Sequence, residues 1–182
     1  MHLVWPAPEY LRSYCEALQR GWSPNNLRPQ VAQEELAAIK SNPDAYFEQI
    51  VNFEGGGPGV KLPDGSIVPR LPGYRKWMWD GEFCGSIQLR WPTGAELPDY
   101  CLGHIGYSVV PWKQRRGYAT SALALLLPEA RSRGLPYVEI TTSPENAASQ
   151  KVILANGGVL VEAFEKPASL GGGSELRFRI AL

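Results

Sequence analysis

Residues 104–133 read HIGYSVVPWKQRRGYATSALALLLPEARSR, and the rest of the chain is arranged around how this stretch folds. His104 to Val110 is dense in β-branched and aromatic residues, the composition of a strand. Pro111 to Gly117 is a turn that carries Gln114, Arg115 and Arg116. Tyr118 to Arg133 reads as a helix, with Leu123, Leu126 and Leu127 spaced for one apolar face. A strand, a glycine turn and a helix make a place for an anion. The first backbone N–H groups of a helix have no partner inside it, they point the same way, and the aligned peptide dipoles place partial positive charge there. Gly117 and Ala119 are small enough to let an anion reach the backbone, and Arg115 and Arg116 add charge at the rim. The same pattern also fits an ordinary strand-to-helix turn of an α/β domain.

The string from Val109 to Ala119 resembles the acyl-CoA signature of the GNAT superfamily of N-acetyltransferases. That signature sets an Arg or Gln after a strand-ending Pro, then two residues, then Gly-x-Gly or Gly-x-Ala, and Gln114, Gly117 and Ala119 fall on its places. A second block follows, Pro144-Glu145-Asn146-Ala147-Ala148-Ser149 and then Asn156-Gly157-Gly158. The words GHIGYSV and NGGVL are similar to those of a group of bacterial predicted acetyltransferases. The resemblance runs from about Trp79 to Leu160. It implies an α/β fold with a mixed sheet, helices on both faces, and two splayed central strands, one ending at Val110 and one near Thr142, with the acyl-CoA between them. It implies that the amides of Arg115, Arg116, Gly117, Tyr118, Ala119 and Thr120 hold the diphosphate. The backbone of Val109 and Val110 would pair with the pantetheine arm, and Asn146 would hydrogen-bond it, with Ser149 one turn further on. As a reading of residues alone, Asn146 also fits a local cap at a helix start. The implied activity is transfer of acetyl from acetyl-CoA, as cosubstrate, to a primary amine by direct transfer in a ternary complex. A non-catalytic acyl-CoA-binding or sensing domain is the alternative.

The acid and base stay open. Many enzymes of this superfamily carry a Tyr seven residues after the second-block Asn, and this chain has Ile153 there. Tyr107, Ser143 and Ser149 are the hydroxyl alternatives. His104 is the first candidate base, since imidazole titrates near neutrality, and a satisfied structural histidine is its other reading. Glu139 and Glu145 follow. Orientation alone supplies much of such a rate, so no dedicated base is required.

At 182 residues the chain is expected to form one domain, residues 1–182. Within it, 1–53 would be N-terminal helices, 54–73 a Gly/Pro-rich loop, and 74–182 the sheet and binding core. Lys plus Arg and Asp plus Glu are each 18, so the net charge is zero. That speaks against a general nucleic-acid or anionic-membrane binder. Three cysteines without metal-like spacing read as thiols in a reducing cytoplasm, and two histidines make no metal site. Neither a leader segment nor a membrane span is expected. The resemblance implies a small-molecule or peptide amine as acceptor; net charge and loop composition do not choose between them, and a homodimer is left open.

Taken in order, helices are expected over 7–20, about 30–40, and 44–51. In the loop, Asp64-Gly65 is set to close a small hairpin. Strands over 74–79 and 83–91 form a hairpin through Asp80-Gly81-Glu82, and Trp77, Trp79 and Trp91 read as core rather than a cofactor stack. After the central helix, which Pro128 should bend or split, a strand over 137–142, a helix over 144–155, and an antiparallel pair, 159–165 with 175–180, complete the chain.

Overall fold

The structure, a computed structural model, describes residues 1–94 and 96–182. Strand β1 (His2–Val4) comes first, then α1 (Pro8–Gln19), α2 (Val31–Ser41), α3 (Pro43–Ile50) and the short β2 (Val51–Asn52). Strands β3 (Val60–Lys61) and β4 (Ile67–Val68) pair around Asp64-Gly65, where the Ser66 N–H donates to Asp64 Oδ1 at 2.9 Å. Then follow β5 (Gly73–Trp79), β6 (Phe83–Arg90), β7 (Ile105–Val109), α4 (Tyr118–Ser132), β8 (Tyr137–Thr142), α5 (Ala147–Ala155), β9 (Val159–Glu165) and β10 (Ser174–Ala181).

Two sheets form. One runs β1-β5-β6-β7, with β2 pairing the other end of β5; the second runs β8-β10-β9. Every ladder in them is antiparallel. Strands β7 and β8 run side by side without a ladder. They are joined at one end only: the His104 N–H donates to the Glu139 carbonyl at 2.8 Å, and the Glu139 N–H donates to His104 Nδ1 at 3.0 Å. The unzipped central pair is the splay the sequence leads one to expect.

Strand alternation assigns the two faces of the first sheet. Tyr74 and Lys76 of β5 point to α4, where both bond the Glu129 carboxylate. Met78, Ile87, Leu89 and Ile105 join Leu123, Leu126 and Ile153 in the core on that face. Trp77 points the other way, into a second core with Tyr14, Leu18, Trp22 and Phe83. Its ring stacks on Tyr14 with centroids 4.4 Å apart, so this tryptophan is core, as its strand position implies. Helices α1 to α3 cover one face and α4 and α5 the other. No helix among the described residues is long and apolar enough to cross a membrane.

Three local readings need correction. Strand β1 has only three residues, too short for periodicity to reveal; it forms because Val4 and Leu3 find the free edge of β5. Pro128 does not split α4, which runs unbroken through it; the residue lies on the exposed side, where the carbonyl it leaves unpaired meets solvent. Helix α5 starts at Ala147 rather than Pro144, because the Asn146 side chain caps it by accepting from the Ser149 N–H at 3.0 Å.

Candidate active site

Strand β7 ends in a single 3₁₀ turn, Pro111–Lys113, which is fastened from below. The buried Lys113 ammonium bonds both carboxylate oxygens of Asp80 at 3.0 Å and reaches Glu82 at 2.6 Å. Asp80 also accepts the Tyr118 hydroxyl. Desolvation would raise the Asp80 pKa, but the bonds from Tyr118 and Lys113 outweigh it and hold the carboxyl well below its usual range. Glu82 and Asp80 push Lys113 up to about 12. The β5–β6 hairpin therefore fixes the β7–α4 turn by two charged contacts.

Within the turn, Arg115 (φ 62°) and Gly117 (φ 76°) are both left-handed. Glycine takes that conformation freely, and arginine takes it at a cost. The first helical bond of α4 is made by the Ser121 N–H, which donates to the Gly117 carbonyl at 3.0 Å. No side chain caps the helix. Among the described residues, the amides of Arg115, Arg116, Gly117, Tyr118, Ala119 and Thr120 donate to no acceptor in the chain. Such a run of free amides at a positive helix end is a receptor for an anion.

The turn opens onto a cavity of about 1470 Å³. It passes through the β7–β8 gap to a wall built from α2, the β3–β4 segment and the β9–β10 connection. Of the residues singled out in the sequence, Tyr107, Val109, Gln114, Arg115, Gly117, Tyr118, Ala119, Thr120, Asn146 and Ser149 line this one space. Val110 does not. Its N–H donates to the Cys84 carbonyl at 2.9 Å, and its own carbonyl accepts from Lys113 at 2.9 Å. Val109, one residue back, turns its backbone the other way, toward the gap; its carbonyl receives only a long 3.4 Å contact from Gln114. Arg116 is exposed at the rim. The side-chain oxygen of Asn146 is taken by the α5 cap, so only its side-chain NH₂ remains to face a ligand.

The hydroxyl candidates meet across the gap. Tyr107 Oη of β7 lies 2.8 Å from Ser149 Oγ of α5. Burial pushes the Tyr107 pKa up to about 12 against the opposing pull of Ser149, so this phenol is protonated at neutral pH. Ser143 lines the same cavity, whereas Ile153 is fully buried in the core. His104 is outside the cavity lining and only 6% exposed. Burial pushes its pKa down to about 4, Arg90 and Arg179 act in the same direction, and Glu139 opposes them. It is neutral, and its Nδ1 is occupied by the Glu139 amide. Glu139 is held by Arg179 at 2.6 Å, and Glu145 is exposed away from the cavity.

Side chains the sequence reading did not single out build the far wall. Glu35 of α2 pairs with Arg75 of β5 at 2.8 Å and accepts the hydroxyls of Tyr46, at 2.7 Å, and Tyr14. Arg28 pairs with Glu34 at 2.7 Å. Partners forty residues apart leave no spacing signal; only the alternation of β5, which sends Arg75 to the face of Trp77, could have pointed to one of them.

The profile of the acetyltransferase (GNAT) domain matches residues 7–159. No curated protein sequence matches the chain. Among solved structures, Mycobacterium smegmatis RimJ in complex with CoA-disulfide superposes with a TM-score of 0.64 at 20% identity, covering 98% of this chain and 80% of that one. The ribosomal L7/L12 alpha-N-protein acetyltransferase RimL, in complex with coenzyme A, gives a TM-score of 0.64 at 13% identity over 99% of this chain and 93% of its own. The microcin C7 self-immunity acetyltransferase MccE, in complex with acetyl-CoA and AMP, gives 0.60 at 15% identity over 99% and 91%. At such identities the likeness is one of fold.

Proposed function

This chain belongs to the GNAT acetyltransferase family, and we propose that it transfers the acetyl group of acetyl-CoA to a primary amine, directly, in a ternary complex. The observation that carries this reading is the meeting of two features in one cavity: the free amides from Arg115 to Thr120, and the unladdered gap between β7 and β8. The first suits a diphosphate and the second an extended arm. The bound CoA or acetyl-CoA of the structural neighbours supports the choice of acyl donor.

In this reading the turn amides and Arg115 hold the diphosphate, and Arg116 adds charge at the rim. The backbone of Val109 and the free NH₂ of Asn146 orient the arm. The thioester supplies an activated acetyl group. The amine nitrogen bonds the acetyl carbon, the carbon–sulfur bond breaks, and the nitrogen releases its proton to water. Ser149 gives its proton to the departing sulfur and takes the Tyr107 proton in the same step, and Tyr107 regains one from water; the pair takes the part that Ile153 has no hydroxyl to play. His104 acts as a clasp at the closed end of the strand pair and not as the base, because its Nδ1 is occupied.

Calorimetry with acetyl-CoA tests the reading: saturable binding is expected, and no binding at high micromolar concentration would overturn it. The buried Ile153 favours a second reading, an acyl-CoA binder without turnover. Steady-state release of CoA with a broad amine panel separates the two, since turnover with any amine excludes the second.

A further inference from the structure

The acetyl-transfer reading leaves the acceptor unnamed, and the far wall of the cavity bears on it. Eight Lys or Arg residues line the cavity against three carboxylates, in a chain whose net charge is zero. All three carboxylates are already paired: Glu34 with Arg28, Glu35 with Arg75, and Glu175 with Lys166. Lys113 answers Asp80 and Glu82, and Arg115 belongs to the turn. The surplus therefore falls on Lys61, Arg70 and Arg90.

Arg90 is the informative one. It makes no ion pair, and its Nε is buried without a partner among the described residues. The residue is half-buried, and a buried Nε–H lacking an acceptor is costly unless something supplies one. Strand register places it on the face that looks into the wall: Arg90 stands across from Gly73, and Gln88 across from both Arg75 and Gly106. Gly106 lets the ends of the Gln88 and Arg90 side chains lie close against its own strand. A β-carbon there would come within 3.0 Å of Gln88 Nε2 and 3.3 Å of Arg90 Nη2. Arg70 adds to the same field; it bonds only the Pro58 carbonyl, at 3.1 Å.

We propose that the acceptor carries an oxyanion, a carboxylate or a phosphate, on the same molecule as its amine, and that Arg90 binds this group at the cavity wall while Arg70 strengthens the field. The planar fork of arginine matches either oxyanion in a two-point contact. The cationic wall has a second effect. It disfavours an ammonium and so lowers the pKa of the amine. The acceptor is thereby held by its anionic end with its nitrogen neutral, which is the state that attacks, and no side-chain base is needed.

Two measurements test this, and their failures point to different causes. The first is CoA release with matched acceptors: β-alanine against ethylamine, δ-aminovalerate against butylamine, and O-phosphoethanolamine against ethanolamine. A preference for anionic members of about 10- to 100-fold in kcat/KM is expected, the scale of one charged hydrogen-bond pair. Arg90→Met should lose that preference with acetyl-CoA affinity unchanged, and the carboxylate and phosphate arms tell which oxyanion is favoured. The second measurement needs no turnover: the Nε–H resonance of Arg90, assigned by its loss in Arg90→Met, is followed during titration with glutarate or inorganic phosphate. A saturable shift is expected. A saturable shift without turnover of any amine would uphold the oxyanion site and count against acetyl transfer. No shift of the Arg90 resonance, or turnover with equal preference for the neutral twins, would overturn the oxyanion site and leave acetyl transfer standing.

Discussion

The two ends of the cavity are built on opposite principles. The end at the β7–α4 turn is made of backbone: six amides without acceptors among the described residues, shaped by the left-handed Arg115 and Gly117. The far end is made of side chains drawn from α2, β5 and β6, with charges that mostly cancel in pairs. A backbone receptor depends on chain conformation, so it tolerates many side chains but not a change of φ. A side-chain receptor depends on which charges are left over. Each end thus has its own sensitive glycine, Gly117 at one and Gly106 at the other.

The sharpest way to break this contrast is Gly117→Val. Nothing crowds a β-carbon at this position, so the damage comes from the left-handed φ alone. Disturbing two amide-to-phosphate bonds should weaken acetyl-CoA binding in calorimetry by about 100-fold or more. Equal affinity would mean the turn is not the receptor.

The next largest effect concerns the clasp that joins β7 to β8. His104 has a folded pKa of about 4, below the value of about 6.5 in the unfolded chain. The unfolded state therefore binds the extra proton first. Stability is complete above pH 6.5 and falls as pH drops from there toward 4, by about 3 kcal/mol at most. His104→Asn keeps an acceptor for the Glu139 amide but cannot titrate, so denaturant melts should show a shallower loss over that range.

Ser149→Ala should lower kcat by about 100-fold while leaving acetyl-CoA affinity in place, the lower end of the scale for losing a proton donor. Tyr107→Phe should cost less, since it acts through Ser149. The smallest change is Gly106→Ala. Its β-carbon presses on the flexible ends of Gln88 and Arg90, so acceptor KM should rise about threefold, an effect of well under 1 kcal/mol, with acetyl-CoA binding untouched. If Gly106→Ala instead disturbed acetyl-CoA binding, the separation of the two ends would fail.

The same contrast explains what could be read from the residues alone. The turn was legible because Gln114, Gly117 and Ala119 lie within six positions and their roles are backbone roles. The strand and helix order was legible from periodicity, to within a few residues at most ends. Val109 was separated from Val110 only by strand register, which is set by β6. His104 could be read either way until Glu139 was found beside it, thirty-five residues on. Arg90 had no signal at all, because being unpaired is a property of its neighbours.

One consequence follows from the ties that bind Lys113 and Tyr118 to Asp80. They set the shape of the turn during folding, so no conformational search is left for the moment of encounter. A turn tied in this way before its ligand arrives costs less to order on binding than a loose one. Loosening Asp80 would show first as slower capture, before any contact with the ligand itself was lost.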